Sequence, residues 1–436
     1  MKRLMLAWAA IAAGMAFAGP FEKAELRGVT DKAPVSYKVG EPIDFTVTLT
    51  NAEIPADAQY FVKWTRTGDD GKKESGKEPI ANNGSFHIKT ALAKPGFVRI
   101  EAKVVDAQGK DVKRDGVAPG ENWFGHKEVF FSGGAAADIA KLKQGEAEPN
   151  DFDAFWAKQK AALKKVPMKV KRWEVKSPKD SVHMYAVQID CAGGRPVTGY
   201  LSIPKRCDNG AMKLPARIEF DGYGTGIQRA PKHCWFDWQI NFHINAHGYD
   251  LEKDGDYYKQ FFESIKSNGK GYAFDPQQNA DPEKAYFHGM ALRVMRAVEY
   301  LASLPEWNGQ EILAEGGSQG GLQTVWAAAL DKRVNKAKPN IIWCCDIGKK
   351  GEGRLHSEFE PSATPALRYY DCVNMARRIT GEVDVTRAGL GDYTSPPSGI
   401  TLFYNNLVKA KSKKITYVQG SRHGYIPPKA DKQEVK

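Results

Sequence analysis

The stretch Glu311–Leu330, EILAEGGSQGGLQTVWAAAL, constrains this chain more than any other. A short apolar run (Ile312, Leu313, Ala314) ends in glycines around a serine, and an alanine-rich amphipathic segment follows at once. That order predicts strand, sharp turn and helix, with Gly316-Gly317-Ser318-Gln319-Gly320 fitting the G-x-S-x-G elbow. Such a turn lifts the serine hydroxyl above the sheet edge, and glycines at 316 and 320 let strand and helix approach without a Cβ clash. The helix then aims its N-terminal amides and positive dipole end at the point where charge develops on a carbonyl under attack. With 17 serines and 42 glycines, chance supplies about 0.16 such patterns. The pattern alone is therefore weak. Its place between strand and helix, and its partners downstream, make Ser318 the candidate nucleophile.

A length of 436 residues exceeds one ordinary core and predicts two domains. The net charge of +11 is carried by scattered lysines, which reads as a solvated basic face and argues against a nucleic-acid arm. Lys2 and Arg3 precede an apolar run, Leu4 to Phe17, that closes in Ala16-Phe17-Ala18. This pattern predicts a secretory signal peptide over 1–18 and export to the periplasm or medium. The run is too short to span a membrane, and no later stretch of about 18 apolar residues follows. Six cysteines would allow three disulfides in an exported chain. Cys344 and Cys345, adjacent in a predicted strand, read instead as small buried apolar groups. Cys191 and Cys207 would meet only if the strands between them form a hairpin.

Residues 19–132 read as all-β. FTVTLT, YFVKWTRT, GSFHIKTAL and GFVRIEAKVVD alternate apolar and polar residues between turn clusters, which predicts an immunoglobulin-like sandwich. Trp64 and Trp123 are its candidate sugar-binding aromatics, with burial in the core the plainer reading. Residues 133–150, small and polar, read as a linker. From 151 to 436 the pattern is α/β: a helix from Phe152 capped by Asp151, strands at 172–176, 183–190, 197–203 and 216–220, then strand–helix alternation. The strand after the elbow is expected at 340–345, and the last two strands at 382–389 and 414–419. Antiparallel strands first and βαβ alternation afterwards fit a mostly parallel sheet of the α/β-hydrolase kind.

An acyl-transfer serine needs a base, an orienting acid and an oxyanion hole, in the chain order Ser, Asp or Glu, His. Only His356 and His423 follow Ser318. His423, in GSRHGY just after the last predicted strand, is the candidate base; His356 has no strand feeding it. Asp392, in GLGDYTSPPS, is the candidate acid, with Asp346, Asp371 and Asp384 as rivals and a plain turn aspartate as the bland alternative. For the oxyanion hole, the Gln319 amide follows the nucleophile, and Tyr223 in IEFDGYGTG supplies a second among glycines 222, 224 and 226. His247 and Tyr249 are weaker candidates for the substrate pocket. His243, His247, His233 and Cys234 would make a metal site only on a helix, and this stretch reads as strand and loop, so no metal is expected. The glycine run opens no helix and fits no dinucleotide fingerprint, and no cofactor is expected.

Together the segments PNDFDAFWAKQKAALKKVP, VTGYLSIPK, EFDGYGTG, YFHGMALRVMRAVEYLASLPEW, EGGSQGG, GDYTSPPSGITLFYN and GSRHGY resemble the acetyl xylan esterase / cephalosporin C deacetylase family of α/β-hydrolases. The resemblance runs from about residue 150 to the C-terminus. It implies deacetylation of O-acetylated oligo- or polysaccharides, Ser318, Asp392 and His423 as triad, and the Tyr223 and Gln319 amides as oxyanion hole. The chain departs from the family's pattern at Asp221, where a histidine is usual. It departs again at Ala246-His247-Gly248-Tyr249, in an insertion at 248–283, and in the N-terminal sandwich. A homo-oligomer stays open. The same chemistry would serve a feruloyl or other acyl ester, and a hydrolase-fold protein that only binds glycans is the reading from a different class.

Overall fold

The computed structural model describes residues 19–114, 127–229, 234, 236–357 and 359–436. The expected signal peptide and Trp123 lie outside them. Seven strands come first: β1 (Glu25–Thr30), β2 (Ile43–Thr50), β3 (Tyr60–Gly68), β4 (Lys73–Ile80), β5 (Ser85–Thr90), β6 (Gly96–Asp106) and β7 (Phe130–Ala137). They pair antiparallel into two sheets, β1-β2-β5 and β4-β3-β6-β7. The period-2 pattern does the work: Ile43, Phe45, Val47 and Leu49 all point inward from β2 and are fully buried with Val62, Ile100 and Val104. Trp64 packs its indole over Gly76, where a Cβ would meet the ring at 2.5 Å. Three of these strands, β1, β4 and β7, were not expected. β4 is a polar edge strand, KESGKEPI, with no apolar alternation to announce it. Residues 133–137, assigned above to the linker, are the end of β7; their small side chains let this strand be buried along its length.

The second part runs α1 (Phe152–Lys164), β8 (Val170–Val175), β9 (Val182–Ile189), β10 (Val197–Pro204), β11 (Leu214–Phe220), β12 (Ile240–Ile244), α2 (Gly255–Ser264), α3 (Tyr286–Ser303), β13 (Trp307–Gly317), α4 (Gln319–Leu330), β14 (Val334–Asn340), α5 (Cys372–Ala376), β15 (Glu382–Gly389), α6 (Pro397–Asn405), β16 (Ser412–Val418) and β17 (Lys432–Val435). Its ten strands form one sheet in the order β17-β16-β15-β14-β13-β11-β12-β10-β9-β8. The stretch from β16 to β12 is parallel and both ends are antiparallel. Ile218, Phe242, Ala314, Val385 and Ile415 point from successive strands into one core with Phe287, Leu322, Trp326 and Phe403 from the helices. Each of the Val, Leu, Ile and Phe side chains among these contributes about 1.5–3 kcal/mol on burial.

Three local expectations shift, the first being that an antiparallel strand, β17, follows the one expected to be the last. The strand after the elbow is Val334–Asn340, not 340–345, because its pairing with β13 ends at Gly317↔Asn340. The apolar run after it folds over the elbow as a buried irregular loop, with left-handed backbone at Ile341, Cys344 and Asp346. Asp151 makes no side-chain cap on α1; its carboxylate accepts the Tyr369 hydroxyl instead. All six cysteines are free thiols. Among the described residues no helix is long and apolar enough to cross a membrane.

Candidate active site

β13 ends at Gly317 and α4 begins at Gln319, which leaves Ser318 alone on the turn with φ 58° and ψ −119°. That is strained backbone for a residue with a Cβ. Its surroundings hold it there. The Ser318 amide donates to Asn340 O at 2.9 Å, and the Ser318 carbonyl accepts from Leu322 N at 3.0 Å and Trp343 N at 3.2 Å. The glycines are sterically required. A Cβ on Gly320 would fall 2.3 Å from Phe220 O, and one on Gly316 would fall 2.7 Å from the same atom. Ser318 is 8% exposed and lines an open cavity of about 410 Å³ with Gly222, Asn340 and Ile341.

Asp392 and His423, far apart in sequence, are brought together after adjacent strands. The two loops bind each other: Leu390 N donates to Val418 O and Gly391 N to Ser421 O, both at 3.0 Å. Asp392 is buried, and its Oδ1 accepts the Thr394 and Ser395 amides at 3.0 Å each. His423 Nδ1 lies 3.0 Å from Asp392 Oδ2 and 3.2 Å from Oδ1. A carboxylate only accepts, so Nδ1 carries the proton and Nε2 is left as the basic nitrogen. Arg387, on β15, donates to the His423 carbonyl at 3.1 Å and to Asn340 Oδ1 at 3.2 Å, joining the histidine loop to the end of β14.

The rival acids are engaged elsewhere. Asp371 caps α5 and accepts the Asp346 and Ile347 amides at 2.9 and 2.8 Å, and burial pushes its carboxyl up to about 6. Asp346 pairs with Arg354. Asp384 pairs with Lys414 at 3.2 Å.

Tyr223 follows β11 on the glycine turn. Its ring stacks on Tyr272 at 4.2 Å and meets Phe274, Trp343 and Phe359 edge-on at 5.0–5.5 Å, forming an aromatic wall. Gln319 begins α4, so its amide has no intrahelical acceptor. Tyr272, hidden in the insertion, ties the two candidate donors together. Its hydroxyl accepts the Gly224 amide at 2.9 Å and donates to Gln319 Oε1 at 2.8 Å. Sequence reasoning missed Tyr272 and Arg387, since neither belongs to a motif.

His247 and Tyr249 line a second cavity of about 400 Å³ behind the same turn. Their polar atoms serve the protein itself. His247 Nε2 donates to Gly224 O at 3.0 Å while Nδ1 accepts from Tyr286 Oη at 2.7 Å. The Tyr249 hydroxyl accepts the Gln228 amide at 2.7 Å. Burial drives the His247 pKa down to about 3, so the ring is neutral. Asp221, where the resembled family carries histidine, pairs with His243 Nε2 at 2.9 Å. Among the described residues, no three metal-ligating side chains converge; His233 lies outside them.

A large, mostly parallel sheet with a serine elbow after its central strand is the architecture of the α/β-hydrolases. Within that class the chain belongs to the acetyl xylan esterase family, serine carboxylic ester hydrolases, which it matches over residues 136–352 and 353–436. It is 27% identical to the acetyl esterase Axe7A of Xylanibacter ruminicola over 403 residues, covering 89% of this chain and 84% of that protein. Among solved structures it resembles the acetyl xylan esterase of Paenibacillus sp. R4 (24% identity, TM-score 0.55, 66% of this chain and 94% of that one). It also resembles acetyl xylan esterase 1 of Thermoanaerobacterium sp. JW/SL YS485 (19% identity, TM-score 0.53, 66% and 93%). These two likenesses concern the fold.

Proposed function

We propose that the protein is an exported carbohydrate esterase that removes O-acetyl groups from acetylated oligo- or polysaccharides through an acyl-enzyme on Ser318. The observation that carries this reading is the His423 Nδ1–Asp392 pair, which leaves Nε2 as the basic nitrogen, on a loop that Arg387 ties to Asn340, the residue whose carbonyl accepts the Ser318 amide. In the proposed cycle His423 Nε2 takes the Ser318 hydroxyl proton as Oγ attacks the acetyl carbonyl. The oxyanion forms against the amides of Tyr223 and Gln319. The bond to the sugar oxygen breaks, and that oxygen takes the proton from His423. A water then gives its proton to the same nitrogen and attacks the acyl carbon. Acetate leaves, and Ser318 recovers its proton. Asp392 stabilises the imidazolium in both steps. Tyr223, Phe274, Trp343 and Phe359 would form the wall against which the substrate lies.

In this reading residues 1–18 are the export signal, the sandwich expected at 19–132 is immunoglobulin-like and runs on through β7 to Ala137, and 151–436 are the catalytic domain. The test is acetate release from acetylated xylo-oligosaccharides by the mature chain beside its Ser318→Ala variant. Release that vanishes in the variant is expected. Release that survives it would remove Ser318 from the mechanism.

A further inference from the structure

We propose that the N-terminal β-layer positions the Asp392–His423 pair, and that Gln419 is the residue through which it does so; this rests on the triad reading above. Both triad loops close on the same three small residues of β7, Ser132, Gly133 and Gly134. On the acid side, Gly391 packs so closely that a Cβ there would fall 1.9 Å from Ser132 O, and Ser132 Oγ donates to Gly391 O at 3.3 Å. On the base side, Gln419 is 4% exposed. Its Oε1 accepts the Gly134 amide at 2.9 Å and its Nε2 donates to Gly134 O at 2.8 Å. A Cβ on Gly133 would strike Gln419 Oε1 at 2.2 Å. Asp392 is the next residue after Gly391, and His423 follows Gln419 by four positions. One strand therefore anchors both ends of the 3.0 Å contact between groups 31 residues apart.

The chemistry of the anchor is specific. A primary amide carries both an N–H donor and a carbonyl acceptor, which match the C=O and N–H of a single backbone residue. A carboxylate would oppose the Gly134 carbonyl, and a hydrocarbon would leave both buried backbone groups unpaired. The Arg99 guanidinium, on β6, adds a cation–π contact 4.5 Å from the Tyr393 ring centroid beside Asp392. Beside His423 the Arg422 guanidinium also lies 3.7 Å from the Phe130 ring centroid of β7, while further bonds between the two parts lie away from the triad loops. Gln433 Oε1, for example, accepts the Val35 amide at 2.9 Å. A loosened base loop lowers the rate of proton transfer while leaving ground-state binding alone.

The experiment compares Gln419→Leu, Gln433→Leu and Ser318→Ala in the full chain, with kcat and KM for a small aryl acetate from pH 4 to 9 and the melting temperature of each. For Gln419→Leu, kcat is expected to fall about ten- to a hundredfold with KM within about twofold. The downfield proton resonance of His423 Nδ1–H should weaken. Gln433→Leu should leave kcat and that resonance unchanged. If Gln419→Leu does not fold, Gln419→Asn takes its place with the same expectation. The proposal is overturned if the Gln419 variant loses only melting temperature, or if both glutamine variants lose kcat equally. Full turnover by Ser318→Ala would instead overturn the triad reading, whatever Gln419 does.

Discussion

The Tyr272 hydroxyl donates to Gln319 Oε1 at 2.8 Å and at the same time accepts the Gly224 amide at 2.9 Å. One phenol thus braces the turn that presents Tyr223 against the first residue of the nucleophile helix. Removing the oxygen with Tyr272→Phe leaves a backbone donor unpaired and uncouples the two candidate oxyanion donors, at a cost of about 1–2 kcal/mol. If these amides stabilise the transition state, that loss appears in kcat as a fall of about five- to thirtyfold, with KM within about twofold. Steady-state kinetics on an aryl acetate check it. A change confined to KM would place Tyr272 in substrate binding instead.

Asp392 sets the tautomer of His423, and Asp392→Asn inverts it. The new carboxamide can donate to Nδ1, which drives the ring proton to Nε2 and removes the base. The Thr394 and Ser395 amides can still bond the remaining carbonyl oxygen, so the fold should survive. A fall in kcat of about 10³- to 10⁴-fold is expected, with an unchanged circular dichroism spectrum. Retention of a tenth or more of wild-type turnover would send the acid role elsewhere.

What the sequence disclosed follows from how strictly each position is constrained. The elbow was legible because a serine on a sharp turn between strand and helix demands glycines that no other residue replaces, and the meeting of Asp392 with His423 followed from chain order and the strands before them. Gly133–Ala137 misled for a physical reason. Small residues mark flexible linkers, but they also mark strands buried between two layers, and only the partner layer tells the two apart. Ile341–Cys345 misled because an apolar run records burial and not period, so a buried loop and a buried strand look alike. Tyr272 was invisible, since its role depends on a fold-back of the insertion that nothing local announces.

The elbow's steric demand can be measured directly. A Cβ at Gly320 would lie 2.3 Å from Phe220 O and 3.1 Å from Asp221 O, both backbone atoms that cannot turn aside. Gly320→Ala must therefore separate α4 from β11, which opens the core beneath Leu322 and Trp326. The expected loss of stability is about 3–5 kcal/mol, well beyond an ordinary overpacking change, and it should appear as a large fall in melting temperature. Gly226→Ala, on the neighbouring turn where a Cβ meets nothing within 4 Å, is the control and should leave the melting temperature nearly unchanged. Equal behaviour of the two variants would contradict the packing described here.

His247 makes stability depend on pH with a defined sign. Its Nε2 donates to Gly224 O and its Nδ1 accepts from Tyr286 Oη, so both ring nitrogens are bonded in the neutral form that the native state holds. Burial, reinforced by Arg293 and Arg195, lowers its pKa from 6.5 to about 3. In the unfolded chain the same ring protonates near pH 6.5, so between pH 6.5 and 3 the unfolded state binds the extra proton. Stability contributed by the neutral ring is complete above pH 6.5 and is lost as the pH falls through that window. From pH 7 to 5 the loss is about 2 kcal/mol from this group alone. Denaturant unfolding of the wild-type chain and of His247→Gln at pH 7, 6 and 5 separates this term from the carboxylates, which are common to both. The wild-type curve should fall more steeply by that amount. Parallel curves would mean that the ring reaches water and carries its proton in the folded protein.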